Sequence, residues 1–307
     1  MGQQITVLVT TSSFNVEGSP PSINLVKNPF KRRLSEEEVK ELIARYQPDG
    51  IISGVEPLTR DVLESAGRLK VISRCGADLY SIDSKAAKKL GILVYNTSTA
   101  PDLPVAELTL AMILCLLRRI KEMDNLVRTS QWQRPITGLL SGKTVGVIGC
   151  GIRGTRVASL LEPFGCQLIG YDVNVRRHEY FEMVSFGQLV TLSDIISLHA
   201  PLTGDNYHLI GEVEISKMKD GVIIINTARG GLIDEDALYR ALLSAKVSGA
   251  GLDVFEHEPY QGPLNNFKGN LILTPHIGSF AGTYRYDMEK EAMQNMIEGL
   301  AKQGLEV

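Results

Sequence analysis

Cysteine is scarce, tryptophan scarcer, and nothing apolar runs far enough to leave water. The four cysteines, Cys75, Cys115, Cys150 and Cys166, share no CxxC spacing. That removes the common zinc and disulfide frameworks, so no metal is expected and reduced thiols in a cytoplasmic protein are. The longest apolar run, Leu108 to Leu117, is interrupted at Thr109 and is too short for a bilayer, so membrane association is not expected. A net charge of −3 and a pI near 6.0 leave no basic field for nucleic acid or anionic lipid. The one short basic run, Lys31 to Arg33, is answered at once by Glu36 to Glu38. No secretory leader, low-complexity tract or fixed-period repeat is visible.

What is present is ordinary globular composition, 44% hydrophobic and 22% charged over 307 residues, enough for about two domains. Apolar β-branched runs at Ile5–Val9, Gly50–Gly54, Val71–Arg74 and Ile92–Tyr95 alternate with helical spacing after Leu34, at Thr59–Ala66 and at Ile82–Leu90. Ser35 with Glu38 is a capping box. The alternation resumes after residue 144, with strands expected at Ile195–His199, Val222–Thr227, Gly249–Val254 and Leu271–Thr274. Helices are expected at Glu212–Met218, Glu235–Leu243 and Gly282–Lys302. Two α/β units with parallel sheets follow. Between them, within Pro101–Trp132, the chain is expected to turn at Pro101 and Pro104 and then run helically through Val105, Leu108, Ile113, Leu116, Ile120 and Met123, apolar nearly all round its first half, which suits either an ordinary core or packing between domains or subunits.

Residues 144 to 172 carry the most specific local signal. The run Thr144–Cys150 breaks at Gly149, Gly151 and Gly154, and Val157, Leu160 and Leu161 then repeat at helical spacing. A strand, tight turn and helix N-terminus of this kind seat a pyrophosphate. Asp172, ending the next strand Gln167–Tyr171, is placed for ribose hydroxyls and would repel a 2′-phosphate, so NAD is expected rather than NADP. Arg176, Arg177 and His178 either soften that preference or belong to a charged surface. Three polar residues stand just beyond later strands: Arg229, Glu258 and His276. Singly, each fits an ion pair or a loop histidine; together, beside a dinucleotide loop, they point to chemistry.

Several stretches in order, VAELTLAMIL from Val105, VGVIGCGIRG from Val145, HAPLTGDNYHLI from His199, MKDGVIIINTARGGLIDEDAL from Met218, GLDVFEHEP from Gly251 and LTPHIG from Leu273, give the chain its family likeness. It resembles the NAD-dependent D-2-hydroxyacid dehydrogenases, in particular short phosphoglycerate dehydrogenase-like members. The resemblance implies two Rossmann-like/flavodoxin-like parallel-sheet domains, with an NAD-binding domain at 99–281 inserted into a substrate domain of 1–98 plus 282–307. It also implies a homodimer formed through the helix after Pro104. In such enzymes the arginine clamps the substrate carboxylate, the histidine is acid/base and the glutamate orients it; these are Arg229, His276 and Glu258. A positioned imidazolium protonates the developing alkoxide, and a planar guanidinium matches a carboxylate. Further cofactor contacts are implied at Ile152, Arg153, His199, Ala200, Pro201, Thr227, Ala228, His276 and Gly278, with Asp253 on the nicotinamide carboxamide.

For substrate, the resemblance points to Arg74, Cys75, Gly76, Ala77 and Asp78, and to a small 2-keto or 2-hydroxy acid, phosphoglycerate-like (D-3-phosphoglycerate/3-phosphohydroxypyruvate). Arg74 and the loop Thr11–Asn15 are candidates for a phosphate. Departures bear on that expectation. Asp78 replaces the usual second glycine of the loop, Tyr80-Ser81 replaces Asp-Asn, Asn96-Thr97-Ser98-Thr99-Ala100-Pro101 is an unusual crossover, and Arg153 stands where isoleucine is common. Asp78 either turns to solvent or selects a cationic or hydroxyl-rich substrate. An NAD-sensing corepressor-like scaffold remains a second reading, and a formate- or phosphite-type dehydrogenase a third.

Overall fold

The computed structural model describes residues 4–16, 19–77, 79–97 and 102–307. Two units emerge, Met1–Pro101 with Phe280–Val307, and Asp102–Ser279.

In the first unit the elements run β1 (Ile5–Val9), β2 (Ile23–Lys27), α1 (Glu36–Tyr46), β3 (Gly50–Ser53), α2 (Arg60–Ser65), β4 (Val71–Arg74), α3 (Ser84–Lys89) and β5 (Leu93–Asn96). All strands are parallel, in the order β2-β1-β3-β4-β5. That is the flavodoxin-type doubly wound order. Period-two alternation divides each strand between two cores. Leu8, Ile51 and Ile72 pack with Val39, Leu42, Val62 and Ala86 of the three helices, while Val7, Val9, Ile52 and Val71 face Met288, Ala292 and Met296. These last three lie on the C-terminal helix, Gly282–Lys302. The capping box forms as expected: Ser35 Oγ accepts from Glu38 N at 3.3 Å, and Ser35 N donates to Glu38 Oε2 at 2.9 Å. Burying Val39, Leu42 and Ile43 then fixes α1 on the sheet, each worth about 1.5–3 kcal/mol.

The second unit runs α4 (Asp102–Leu117), α5 (Ile120–Arg128), β6 (Thr144–Ile148), α6 (Ile152–Leu161), β7 (Gln167–Tyr171), β8 (Glu182–Met183), α7 (Phe186–Leu192), β9 (Ile195–Leu198), α8 (Glu212–Lys217), β10 (Val222–Asn226), α9 (Glu235–Leu243), β11 (Val247–Leu252) and β12 (Leu271–Leu273); Gly282–Lys302 is α10. Its strands are again all parallel, ordered β12-β11-β10-β9-β6-β7-β8. Read from β8, this is the Rossmann order, with the direction of winding reversing between β6 and β9. Ile223 and Ile225 of β10 face a core built with α4 and α6; Val222 and Ile224 face the core under α8 and α9.

Some expectations needed correction. No turn forms at Pro104, which sits in the first turn of α4, where its missing N–H costs no helical bond, and the helical stretch through Met123 is two helices, because Arg119 takes a left-handed conformation (φ 50°) at the junction. Strands β2 and β8 and helix α7 were not anticipated. Among the described residues no helix is long and apolar enough to cross a membrane, and all four cysteines are free thiols.

Candidate active site

The carboxyl end of the larger sheet gathers every candidate of the second unit, since all its strands point the same way. Beyond β6 the chain turns at Gly149, whose φ of +93° and position against Ala200 N, 2.5 Å from where a Cβ would stand, exclude any side chain. Gly151 caps α6 and opens on empty space, while Gly154 packs on the Gly149 carbonyl, 2.0 Å from a would-be Cβ. Exposed N–H groups at the start of a ten-residue helix, with nothing above Gly151, suit a phosphate. Ile152 is exposed there and Arg153 half-buried.

Asp172, at the tip of β7, holds this loop from the side. Its Oδ2 accepts from Cys150 N at 2.8 Å, and its Oδ1 from Asn174 N at 2.8 Å and Val175 N at 3.2 Å. Arg176 and Arg177 are exposed, whereas His178 turns to α6, its Nε2 2.9 Å from Thr155 Oγ1. Beyond β9, His199 is buried with Nε2 2.7 Å from Ser197 Oγ. Burial, with Arg153 nearby, lowers its pKa to about 3, so the ring is neutral; its buried Nδ1 has no hydrogen-bond partner. Ala200 is half-buried and Pro201 exposed. Thr227, beyond β10, is buried with its hydroxyl on Thr109 at 2.9 Å, beside buried Ala228.

Arg229 is presented by a staple that sequence reasoning missed. Asn226 closes β10, its Oδ1 accepting from Ala228 N at 3.0 Å and its Nδ2 donating to Arg229 O at 2.8 Å. The guanidinium is half-buried, with Nη1 on Ala228 O at 2.5 Å. Asn226 was visible as a polar residue ending an apolar strand, yet nothing local revealed its partner.

Glu258 and His276 meet. His276 Nδ1 lies 3.1 and 3.0 Å from the two carboxylate oxygens of Glu258, and Phe255 N donates to Glu258 Oε1 at 3.1 Å. With Nδ1 so engaged, the imidazole presents Nε2 away from the carboxylate. His276 holds a left-handed backbone (φ 55°), uncommon for a non-glycine residue and frequent where a site over-determines its geometry. Asp253 over-determines it. This 1% exposed carboxylate accepts from Thr274 Oγ1 (2.6 Å), Ile277 N (2.8 Å) and Gly278 N (2.8 Å), gripping the turn on both sides of His276. Burial, partly opposed by those hydrogen bonds, pushes its pKa up.

In the smaller unit, Arg74 ends β4 buried, with Nη1 on Cys75 O at 3.2 Å and its guanidinium 5.6 Å from the Tyr80 ring centroid. The Cys75 thiol is pushed up to about 11 by burial. Gly76 N donates to Thr97 Oγ1 (3.0 Å) and Asn96 Nδ2 to Ala77 O (2.7 Å), so the loop is tied to the end of β5. Asp78 and residues 98–101, singled out from sequence, lie outside the described residues. The Thr11–Asn15 loop is committed elsewhere. Arg285 Nη2 donates to Thr11 Oγ1 (2.7 Å) and Ser13 O (3.0 Å), and Glu289 accepts from Asn15 N (2.7 Å) and Ser13 Oγ (3.3 Å).

Comparison with known proteins agrees with this chemistry. The family described as D-isomer specific 2-hydroxyacid dehydrogenase, NAD binding domain, matches residues 110–278. The chain is similar to a glyoxylate reductase of Thermococcus litoralis, 38% identical over 256 residues, covering 79% of this chain and 77% of that protein. It is also similar to a D-3-phosphoglycerate dehydrogenase of Methanocaldococcus jannaschii, 41% identical over 254 residues, covering 80% of this chain but 48% of that protein, so it spans about half of that relative's length. Among solved structures, a D-lactate dehydrogenase from Aquifex aeolicus complexed with NAD and lactic acid superposes with a TM-score of 0.77 at 31% identity, over 97% of this chain and 96% of that one. The chain belongs to the D-isomer specific 2-hydroxyacid dehydrogenase family, NAD-dependent oxidoreductases of small 2-hydroxy and 2-keto acids.

Proposed function

We propose that this protein interconverts a small, unphosphorylated 2-keto acid of glyoxylate or hydroxypyruvate size with its D-2-hydroxy acid, the second unit serving as the NAD domain and the first as the substrate domain. Gly151, Ile152 and Arg153 at the head of α6 hold the pyrophosphate, Asp172 the ribose, and residues beyond β9, β10 and β12 the remainder. When bound, the cofactor gives or takes the hydride. His276 donates a proton from Nε2 to the developing alkoxide and recovers it in the reverse direction; Glu258 fixes the ring and offsets its charge as it cycles. Arg229 offers its donors to the carboxylate. Arg74 to Ala77 we assign to substrate from the resemblance.

One observation carries the choice against a phosphate. The Thr11–Asn15 loop gives Ser13 Oγ and Asn15 N to buried Glu289, Arg285 is already paired with that glutamate at 2.8 Å, and Glu56 buries a second carboxylate close by, accepting from Gly54 N (2.6 Å) and Thr10 Oγ1 (3.2 Å). A phosphate dianion there meets two fixed carboxylates, and the cation beside the loop, Arg285, is already paired. The similarity to a phosphoglycerate dehydrogenase favours the other reading, 3-phosphohydroxypyruvate. Steady-state NADH oxidation over glyoxylate, hydroxypyruvate, pyruvate and 3-phosphohydroxypyruvate decides: a higher kcat/KM for the phosphorylated acid overturns the proposal. Tight NADH binding without turnover of any keto acid would instead favour a nucleotide-sensing scaffold. We further propose a homodimer whose contact covers the exposed Ile120, Trp132, Ile136 and Leu139; the mass in solution tests it.

A further inference from the structure

The segments that carry Arg229 and Glu258 are fastened together away from the reacting groups. Gly230, next to Arg229, lies flat on the Phe255–Glu256 peptide, where a Cβ would stand 1.8 Å from Phe255 C and 2.2 Å from Glu256 N. Glu256 N donates to Glu235 Oε1 at 2.8 Å, at the head of α9. The Glu256 side chain then reaches the loop after β9, where one carboxylate oxygen accepts from the Tyr207 hydroxyl and the other lies 3.1 Å from His208 Nε2. Tyr207 and His208 stack with ring centroids 4.0 Å apart, and His208 N donates to Gly231 O at 2.7 Å, closing the circuit onto the Arg229 turn. His208 holds φ 52° to do so. A non-glycine residue kept left-handed, a stacked pair and a shared carboxylate form a connection between loops that hydrophobic packing alone would not specify.

We infer that Tyr207 and His208 are positioning residues for the reaction, acting through Glu256 to hold the segment from which Glu258 reaches His276. Glu256 lies two positions before Glu258, and Phe255 N bonds the Glu258 carboxylate directly, so slack at Glu256 passes to the acid/base pair within one peptide. The inference rests on the reading of Glu258 as the residue that orients His276.

Tyr207→Phe tests it with little risk to folding, because the residue is 52% exposed and only the hydroxyl is lost. Expected is a fall in kcat of about fivefold for the preferred keto acid, with NADH Kd and keto-acid KM within about twofold of wild type. His208→Asn, which tolerates the left-handed backbone, should behave alike. On a Glu258→Gln background, Tyr207→Phe should add no further loss, since both act through one carboxylate. Wild-type kcat in both single variants while Glu258→Gln is impaired overturns the inference. So does an undiminished loss on the Glu258→Gln background, which marks an independent route. Wild-type kcat in Glu258→Gln itself overturns the parent reading, and the inference with it.

Discussion

Replacing Asp253 by asparagine keeps the shape of the group that grips the His276 turn and removes its ability to accept on both oxygens. The amide oxygen can stay on Thr274 Oγ1 and Ile277 N, which leaves its NH2 facing the Gly278 N–H across what was a 2.8 Å hydrogen bond. The opposite rotamer is worse, since the amide hydrogens then meet the Ile277 N–H and contest the Thr274 hydroxyl. One charge-assisted bond is lost, at about 1.5–3 kcal/mol, and a buried amide is left unsatisfied at about 1–3 kcal/mol. Relief from burying a charge returns part of this, the same burial that pushes the Asp253 pKa up. A net loss of about 2–3 kcal/mol in unfolding free energy is expected, with kcat/KM falling as the strained His276 backbone relaxes. Urea unfolding followed by far-ultraviolet circular dichroism measures it; fluorescence is a poor choice because the single tryptophan, Trp132, is already 82% exposed. The raised pKa also fixes a pH dependence. The native state binds this proton more firmly than the unfolded chain, so the group's contribution is full below the unfolded pKa and falls away as pH rises through the folded one. The asparagine variant should lack that component. If Asp253→Asn leaves stability unchanged and only weakens NADH binding, the carboxylate serves the ligand rather than the turn, and the reasoning fails.

Other consequences are simpler to test. Arg285→Met strands the 0% exposed Glu289 without its cation and should cost about 3–5 kcal/mol, read as a lower Tm, whereas Arg285→Met with Glu289→Leu should recover most of it. Asp172→Asn should weaken NADH binding and narrow the preference over NADPH by about tenfold, measured by titration with both nucleotides, through loss of the charge that repels a 2′-phosphate. Ser35→Ala removes one side of the α1 capping box and should lower stability by about 1 kcal/mol, with kcat unchanged.

Strands β3, β4, β9 and β10 were legible in the sequence because each is buried on both faces and is therefore rich in Val, Ile and Leu, with only small or terminal polar residues interrupting. That both sheets are parallel was legible from the alternation of strands with helices, while the family likeness came from the motif stretches; the strand orders were not legible. Strand β2 was not: it is an edge strand after Pro20-Pro21 and buries only Ile23 fully, so its pattern is too weak to separate from loop. Helix α7 buries only Leu189 and Val190, and its best signal was the Ser185–Gln188 capping box. The break at Arg119 had no glycine or proline to announce it. At the site, strand tips exposed Arg229, Glu258 and His276 by position, but the Thr11–Asn15 loop looked free for phosphate because its partners lie some 274 residues away on α10. Long-range pairing of polar groups leaves no local period to read.

The loops at both sheet ends share one device, which explains why acids beside glycines are ambiguous in sequence. A chain leaving a parallel strand has N–H groups that no ladder pairs, and a carboxylate with about four lone-pair positions collects several at once. Asp253 accepts three donors, Asp172 three, and Glu56 two. Such an acid fixes a loop whether or not a ligand ever arrives, so its presence alone does not separate scaffold from site. Counting does not separate them either, since Glu56 retains about two acceptor positions. Asp253 and Asp172 each retain about one acceptor position after holding their loops, and each stands at the tip of a strand in the unit that contains the match to the NAD binding domain family. What differs is access: Asp172 is half-buried, so a further donor can reach it without displacing the loop, whereas Asp253, 1% exposed, keeps its remaining position inside the turn it grips.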